Sequence, residues 1–343
     1  MKYRVYPNTD LKVSEVGFGL WTVSTGWWGS YTDDQAVSMM RKALDLGVTL
    51  FDAADTYGNG RSEELIGKAF AKDRDKIVVA TKVGYDFYHF AGERKGQREI
   101  PQDFSPKFLN FAVDEALKRL GTDRIDLLQL HNIRMDQVHD ESVWTALEEI
   151  KSSGKVRHYG VALGPAIGWL YEGKRVVEER EPTSIQHIYN LLEQFPGREI
   201  LESSSSRKTR SLIRVPHSSD MLTGRLSENT VFAPNDHRSH RPKSWLVNGV
   251  KKIKALEFLK LGGKRTLGQA ALQWLLADER IVSVLPNIYA ESDLVEYASA
   301  PDTPPLTGEE LEKCSELAAR NFGVDDQEQP KFKGTMTLEQ APA

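Results

Sequence analysis

The sequence predicts a (β/α)8 TIM barrel with an N-terminal β-hairpin and an extra C-terminal helix. Three observations lead there. Apolar runs of strand length recur eight times, ending near Leu20, Asp55, Val83, His131, Leu163, Asn190, His217 and Asn287, and most precede a segment of helical period. A chain of 343 residues, 40% hydrophobic and 27% charged, is long enough to enclose one large α/β core. The main competitor, a doubly wound open sheet, lacks its glycine fingerprint. No G-x-G-x-x-G follows the first strand, where Gly17 and Gly19 run into bulky Leu20, Trp21 and Thr22. The barrel is assigned to residues 1–323 and a polar tail to 324–343.

Taken in chain order, extended pieces at Tyr3 to Val5 and Leu11 to Val13, joined by the turn-forming PNTD, predict a hairpin under the barrel. After the first barrel strand, Thr32 caps a helix with Gln35 in capping-box position. Its apolar stripe is Ala36, Met39, Met40, Ala43 and Leu44, and Gly47 stops it. After the third strand, Ser105 and Pro106 open a helix with the stripe Leu109, Ala112, Val113, Ala116, Leu117 and Leu120, ended by Gly121. Insertions from Gly84 to Asp103 and from Ser218 to Ser244 follow strands three and seven, so they are expected to shape the mouth of the barrel. Beyond Pro301, Thr307 and Glu310 cap the extra helix.

Composition excludes several function classes. A net charge of −4 with Lys and Arg spread along the chain leaves no basic footprint for nucleic acid. The start MKYRVYPNTD has no apolar targeting region, and no run of about 18 apolar residues occurs, so a cytoplasmic protein without a membrane partner is expected. The single cysteine, Cys314, excludes an internal disulfide and a cysteine-rich metal site. Its helical spacing with Leu311, Leu317 and Ala318 predicts core packing.

The ends of barrel strands carry the chemistry in this architecture. The second strand delivers Asp52 and then Tyr57, the third ends with Lys82, and the fourth ends with His131. A lysine inside VVATKVG is costly to bury unpaired, and Asp52 on the neighbouring strand is its natural partner. An ammonium near a phenol stabilises the phenolate, which suits Tyr57 to give up a proton. Singly, Asp52 reads as a turn group, Lys82 as half of a structural ion pair and His131 as a hydrogen-bonded core histidine. Their joint occurrence at successive strand ends points to catalysis.

In FDAADTYG, ATKVG and LLQLH the chain resembles the aldo-keto reductase family, and further resemblance runs through GKVRHYGVAL, IQHIYN, VPHSSDMLTGRL and VLPNIYAESDLVEY. The resemblance implies a catalytic tetrad of Asp52, Tyr57, Lys82 and His131, no metal, and hydride transfer between a nicotinamide cofactor and a small-molecule carbonyl. NADP(H) is the family default, with NAD(H) as the alternative. It further implies cofactor contacts from Trp21, Gln186, Asn190, Arg214, Pro216, Ser218, Leu222, Gly224, Arg225, Asn287 and Asp293. Gln186 would hold the nicotinamide carboxamide, and the loop of the 220s would close over the diphosphate. The chain departs from the family pattern at Ala162 and Leu163, at Arg214 in place of an aromatic, and at Asp220 in place of glycine. At Asn287, Ile288 and Tyr289 basic residues are replaced, and Asp293 nearby is expected to repel a 2′-phosphate.

Aromatic residues crowd two mouth loops. Trp21, Trp27 and Trp28 follow the first strand, and Tyr85, Phe87, Tyr88 and Phe90 follow the third. Trp21, Trp27, Trp28, Tyr85 and Phe87 are therefore expected to line a site for an aromatic or sugar-like substrate. The basic segment DHRSHRPKSW is expected either to meet phosphates or to lie solvated. Two other readings stand beside reduction. One is a cofactor-binding regulatory subunit with slow turnover. The other is a metal-dependent hydrolase, disfavoured by the want of an H-x-H or several strand-end carboxylates. Substrate, reaction direction and oligomeric state are not legible.

Overall fold

The computed structural model describes residues 1–92, 99–164, 169–234 and 236–325. The hairpin pairs β1 (Tyr3–Val5) with β2 (Lys12–Ser14) in antiparallel register, Arg4 facing Val13. The barrel strands are β3 (Phe18–Gly19), β4 (Leu50–Asp52), β5 (Val78–Val83), β6 (Ile125–His131), β7 (Val156–Ala162), β8 (Ser184–Ile188), β9 (Arg210–Arg214) and β10 (Ile281–Leu285). They pair in parallel in chain order. The seam closes where Val16 bridges Val284. There the Gly17 amide donates to Val284 O and the Val284 amide to Glu15 O, both at 2.9 Å. A Cβ at Gly17 would stand 2.8 Å from Leu285 Cδ2, so any larger residue at this seam would have to displace that side chain. The observed strands stop at, or up to three residues before, the ends read from sequence, with Asp55 and His217 furthest out.

The helices run α1 (Trp21–Ser24), α2 (Asp33–Asp45), α3 (Arg61–Phe70), α4 (Pro106–Leu120), α5 (Met135–His139), α6 (Glu141–Ser152), α7 (Leu170–Arg175), α8 (Gly197–Ser203), α9 (Lys243–Lys254), α10 (Leu267–Leu276), α11 (Glu291–Ala298) and α12 (Gly308–Ala319). Both capping boxes read from sequence form, at Thr32 with Gln35 and at Thr307 with Glu310. Ser105 caps α4, Pro106 opens it, and Gly121 ends it at φ 62°. α12 is the extra helix. The tail from 326 onward, and 93–98 of the first long insertion, lie outside the described residues.

The hairpin plugs the barrel floor. Tyr6, Leu11 and Val13 pack on Leu50, Ala80, Leu127, Leu212 and Val282, and the Tyr6 hydroxyl meets Ser184 Oγ at 3.0 Å. Arg4 fastens the plug by donating to the carbonyls of Asp278 and Ile281 at 2.9 and 2.6 Å. With its floor sealed, the barrel is open to ligands only at the C-terminal ends of the strands. Cys314 is buried with residues of α9 and α10, and burial pushes its thiol up to about 12. No helix among the described residues is long and apolar enough to cross a membrane.

Candidate active site

Strand register brings the polar groups together. Asp52 is the last residue of β4 and pairs with Ala80 of β5, and Lys82 two residues on pairs with Gln129 of β6. Lys82 Nζ lies 2.6 Å from Asp52 Oδ2 and 2.7 Å from Ala53 O, and its side chain is only 1% exposed. Asp52 Oδ1 accepts from Gln129 Nε2 at 3.1 Å and from Gln186 Nε2 at 2.9 Å, so both carboxylate oxygens are engaged. Burial alone would lower the Lys82 pKa, but the Asp52 carboxylate and the Tyr57 oxygen outweigh it and raise the value.

Tyr57 stands on the tight turn that leaves β4. Its amide donates to Ala54 O at 3.0 Å, and the Ser62 hydroxyl, donating to the same carbonyl at 2.8 Å, ties the turn to α3. The Lys82 ammonium lies 4.7 Å from the centroid of the Tyr57 ring. The ring meets Trp21 edge-on at 4.8 Å and His131 edge-on at 5.9 Å. Lys82 therefore sits behind the tyrosine, and Trp21 and His131 flank it.

In the same turn Asp55 is fully buried, and neither carboxyl oxygen has a hydrogen-bond partner among the described residues. Burial, then repulsion from Glu63, raises its pKa well above the usual carboxylate range. Glu63 is engaged by the Thr81 hydroxyl and by Arg119 at 2.7 Å.

A cavity of about 510 Å3 opens at the mouth. Of the residues singled out in the sequence, Asp52, Tyr57, His131, Trp21, Trp27, Trp28, Tyr85, Gln186, Arg214 and Asn287 line it. Phe87 does not. It packs on Tyr88, ring centroids 4.1 Å apart, beside the Arg119 guanidinium. Asn190 also faces elsewhere, because its amide clamps a loop by donating to Glu193 Oε2 and Val215 O and accepting from the amides of Leu192 and Glu193. Gln186, expected at a nicotinamide carboxamide, bonds Asp52 here while still lining the cavity. Pro216, Ser218, Leu222, Gly224, Arg225 and Asp293 lie beyond the cavity wall.

Sequence reasoning missed a second polar cluster on that wall. Asn132 Nδ2 donates to the Tyr85 hydroxyl at 2.8 Å, which donates to Glu99 Oε1 at 2.9 Å, while Arg134 pairs with Glu99 at 2.7 Å. Asn132 follows His131 directly and adopts φ 57°, a conformation asparagine tolerates. Gln129 was legible too, since the period-2 alternation of IDLLQLH puts it on the same side as His131.

The second insertion is not solvated as a whole. His237 stacks on Trp28 at 5.2 Å and 12°, and Arg238 bridges Asp236 and Asp220, each at 2.7 Å. The Tyr289 hydroxyl also donates to Asp220. These contacts strap 236–238 to the loop after β9 and the loop after β10. Arg238, one of the basic groups in DHRSHRPKSW, is thus engaged by carboxylates. Asp293 is likewise not a bare carboxylate. It accepts from the amides of Tyr289 and Ala290 and pairs with Arg225, which also holds Glu296 at 2.6 Å.

The residues present fit a nicotinamide ring. The cavity volume falls within the range of small-molecule and cofactor sites, about 300 to 1,000 Å3. Gln186 and Asn287 offer amide groups on its wall. Ser218, Ser219 and Asp220 hold left-handed φ of 50°, 53° and 71° in succession, backbone strain of the kind concentrated at ligand clamps.

Comparisons with known proteins agree with this geometry. The family model described as the Aldo/keto reductase family matches residues 15–319. The aldo-keto reductase YhdN of Bacillus subtilis (strain 168) is 30% identical over 284 residues, 80% of this chain and 81% of that protein. The L-glyceraldehyde 3-phosphate reductase of Escherichia coli O157:H7 is 27% identical over 93% of each chain. The glycerol dehydrogenase AKR11B4 from Gluconobacter oxydans superposes with a TM-score of 0.79 at 25% identity, over 95% of this chain and 98% of that one.

Proposed function

The chain belongs to the aldo/keto reductase family and is an NAD(P)H-dependent oxidoreductase, and on that footing we propose that it reduces small aldehydes or ketones to alcohols with Tyr57 as the general acid. The observation that carries this reading is the buried Lys82–Asp52 pair, with its ammonium 4.7 Å from the centroid of a cavity-lining tyrosine.

A bound reduced nicotinamide supplies the hydride. The protein's own part is to manage the charge that gathers on the substrate oxygen. Tyr57 donates its proton to that oxygen, and His131, edge-on to Tyr57, hydrogen-bonds and orients the carbonyl. Lys82 stabilises the phenolate that remains, and Asp52 fixes Lys82 in place. Gln129 and Gln186 fill the second oxygen of Asp52, which fixes the carboxylate where it holds Lys82. Trp21, Trp27, Trp28 and Tyr85 form an aromatic wall that sheds water around the reacting carbonyl. NADP(H) is the cofactor by family default, with NAD(H) as the alternative.

The names of two relatives, a reductase of a phosphorylated aldehyde and a dehydrogenase of glycerol, support small, oxygen-rich substrates. Titration with NADPH and NADH, followed by a screen of aldehydes, ketones and sugars, tests the reading. Turnover of at least one aldehyde class above background is expected. Tight nucleotide binding without turnover of any carbonyl would overturn it.

A further inference from the structure

Five residues of acidic or basic type other than histidine line the cavity: Asp52, Glu99, Glu193, Arg214 and Arg241. Four of them have a counter-charge. Asp52 has Lys82 at 2.6 Å, Glu99 has Arg134 at 2.7 Å, and Glu193 and Arg241 approach each other at 3.9 Å. Arg214 has none among the described residues. Its Nη2 donates to the carbonyls of Leu163 and Gly164 at 2.7 and 2.6 Å, and its buried Nε has no partner.

This is a costly arrangement. A guanidinium keeps its proton under all ordinary conditions, so it cannot escape desolvation by turning neutral. Burial works against its charge, which the Tyr57 and Asp52 oxygens only partly relieve, and its pKa is lowered. The two carbonyls at Nη2 fix the plane of the fork. A planar, pre-set fork of this kind suits carboxylate or phosphate oxygens.

We propose that Arg214 is the anchor for an anionic group on the carbonyl substrate, a carboxylate or a phosphate, held while the carbonyl oxygen meets Tyr57 and His131. Its placement supports this: Arg214 ends β9 and lines the same cavity as Tyr57 and His131. The site thereby selects aldehydes or ketones that carry a negative charge close to the carbonyl over neutral ones of equal size. The inference rests on the carbonyl-reductase reading above.

The test compares matched pairs in steady-state kinetics, 4-oxobutanoate against butanal and glyceraldehyde 3-phosphate against glyceraldehyde, with the parent chain, Arg214→Met and Arg214→Lys. A charge-assisted pair predicts a kcat/KM preference of at least about tenfold for the charged member of one pair or both. The pair that shows it tells carboxylate from phosphate. Arg214→Met brings the ratio to about one, and Arg214→Lys, folded and keeping the charge without the fork, retains part of it. Neutral aldehydes reduced by the parent with no preference in either pair would overturn the anchor alone. Failure of the parent to reduce any aldehyde would overturn the carbonyl-reductase reading and the anchor with it. An Arg214→Met or Arg214→Lys chain that binds nucleotide more weakly but keeps the parent's substrate ratio would assign Arg214 to the cofactor and sink the proposal.

Discussion

Lys82 and Asp52 meet at 2.6 Å in a site where the lysine side chain is 1% exposed and the aspartate side chain 5% exposed. Breaking a buried pair by removing one partner leaves an uncompensated charge and costs about 3 to 5 kcal/mol. Here Gln129 and Gln186 remain as donors to Asp52, which places the expected loss for Lys82→Met near the lower figure. The same substitution removes the cation behind Tyr57, so turnover falls at least about a hundredfold. Denaturant unfolding and aldehyde reduction measure the two effects. A variant with parental stability and parental rate would contradict the pair's double role.

Tyr57→Phe separates the proton from the packing. The ring keeps its edge contacts with Trp21 and His131, so unfolding and nucleotide affinity stay close to the parent. Loss of the donor lowers kcat by about two to four decades. A rate within about tenfold of the parent on a good aldehyde would remove Tyr57 from the proton-donor role.

Much of this site was legible before any coordinates, because barrel strands carry their function at one end. The apolar runs around Asp52, Lys82 and His131 leave few polar groups to choose among, and parallel register brings neighbouring strand ends together. The loops were less legible for a physical reason. Asn190 and Asp293 are expected at the cofactor by resemblance and Phe87 at the substrate from its aromatic loop, yet each is engaged by partners distant or turned in ways that no periodicity encodes: a loop clamp, a tilted tyrosine, an arginine 68 residues away. Similarly, the carboxylates that hold Arg238 and the indole under His237 are set by how the second insertion folds back over the mouth. Asp55 was passed over as one letter of FDAADTYG, since sequence does not report that a carboxyl lacks partners.

Asp55 makes stability depend on pH in a defined direction. Its folded pKa is raised, so the folded chain holds a proton that the unfolded chain releases. The stability it contributes is present below the unfolded pKa of about 4 and is lost as pH rises toward the folded value, at up to about 1.4 kcal/mol per pH unit. Asp55→Asn removes the ionisation and flattens that part of the profile, raising the melting temperature at pH 8 more than at pH 5. An equal shift at both pH values would show that Asp55 is ionised in the folded protein.

His187 and His217 act with the opposite sign. Burial lowers both to about 4 against an ordinary 6.5, so each favours folding above pH 6.5 and loses that contribution as pH falls toward 4. Each contributes up to roughly 3 kcal/mol across that window. His217 meets Gly268 O at 3.0 Å, a contact that glutamine can reproduce without titrating. The slope of unfolding free energy between pH 6.5 and 4 should therefore be shallower in His217→Gln. An unchanged slope would move the acid sensitivity to other groups.

Cofactor choice turns on Arg225. The resemblance sets the 2′-phosphate near the loop after β10, where Arg225 is shared between Asp293 and Glu296. Asp293 also accepts from the amides of Tyr289 and Ala290 at the start of α11, so replacing it would cost a cap as well as a charge. Glu296 is the cleaner lever. It is more exposed than Asp293, and Glu296→Gln can still accept from the Thr266 hydroxyl while releasing most of its hold on Arg225. A phosphate dianion paired with a guanidinium relieved of one of its two carboxylates gains up to about 1.5 to 3 kcal/mol, or up to about one to two decades in affinity. In the parent, where two carboxylates already share Arg225, NADPH should be preferred over NADH by less than about a hundredfold. Dissociation constants for both nucleotides, read from tryptophan fluorescence quenching, should show that preference rising by at least about tenfold in Glu296→Gln. A parental preference of several thousandfold, or a variant with an unchanged ratio, would place the phosphate away from Arg225.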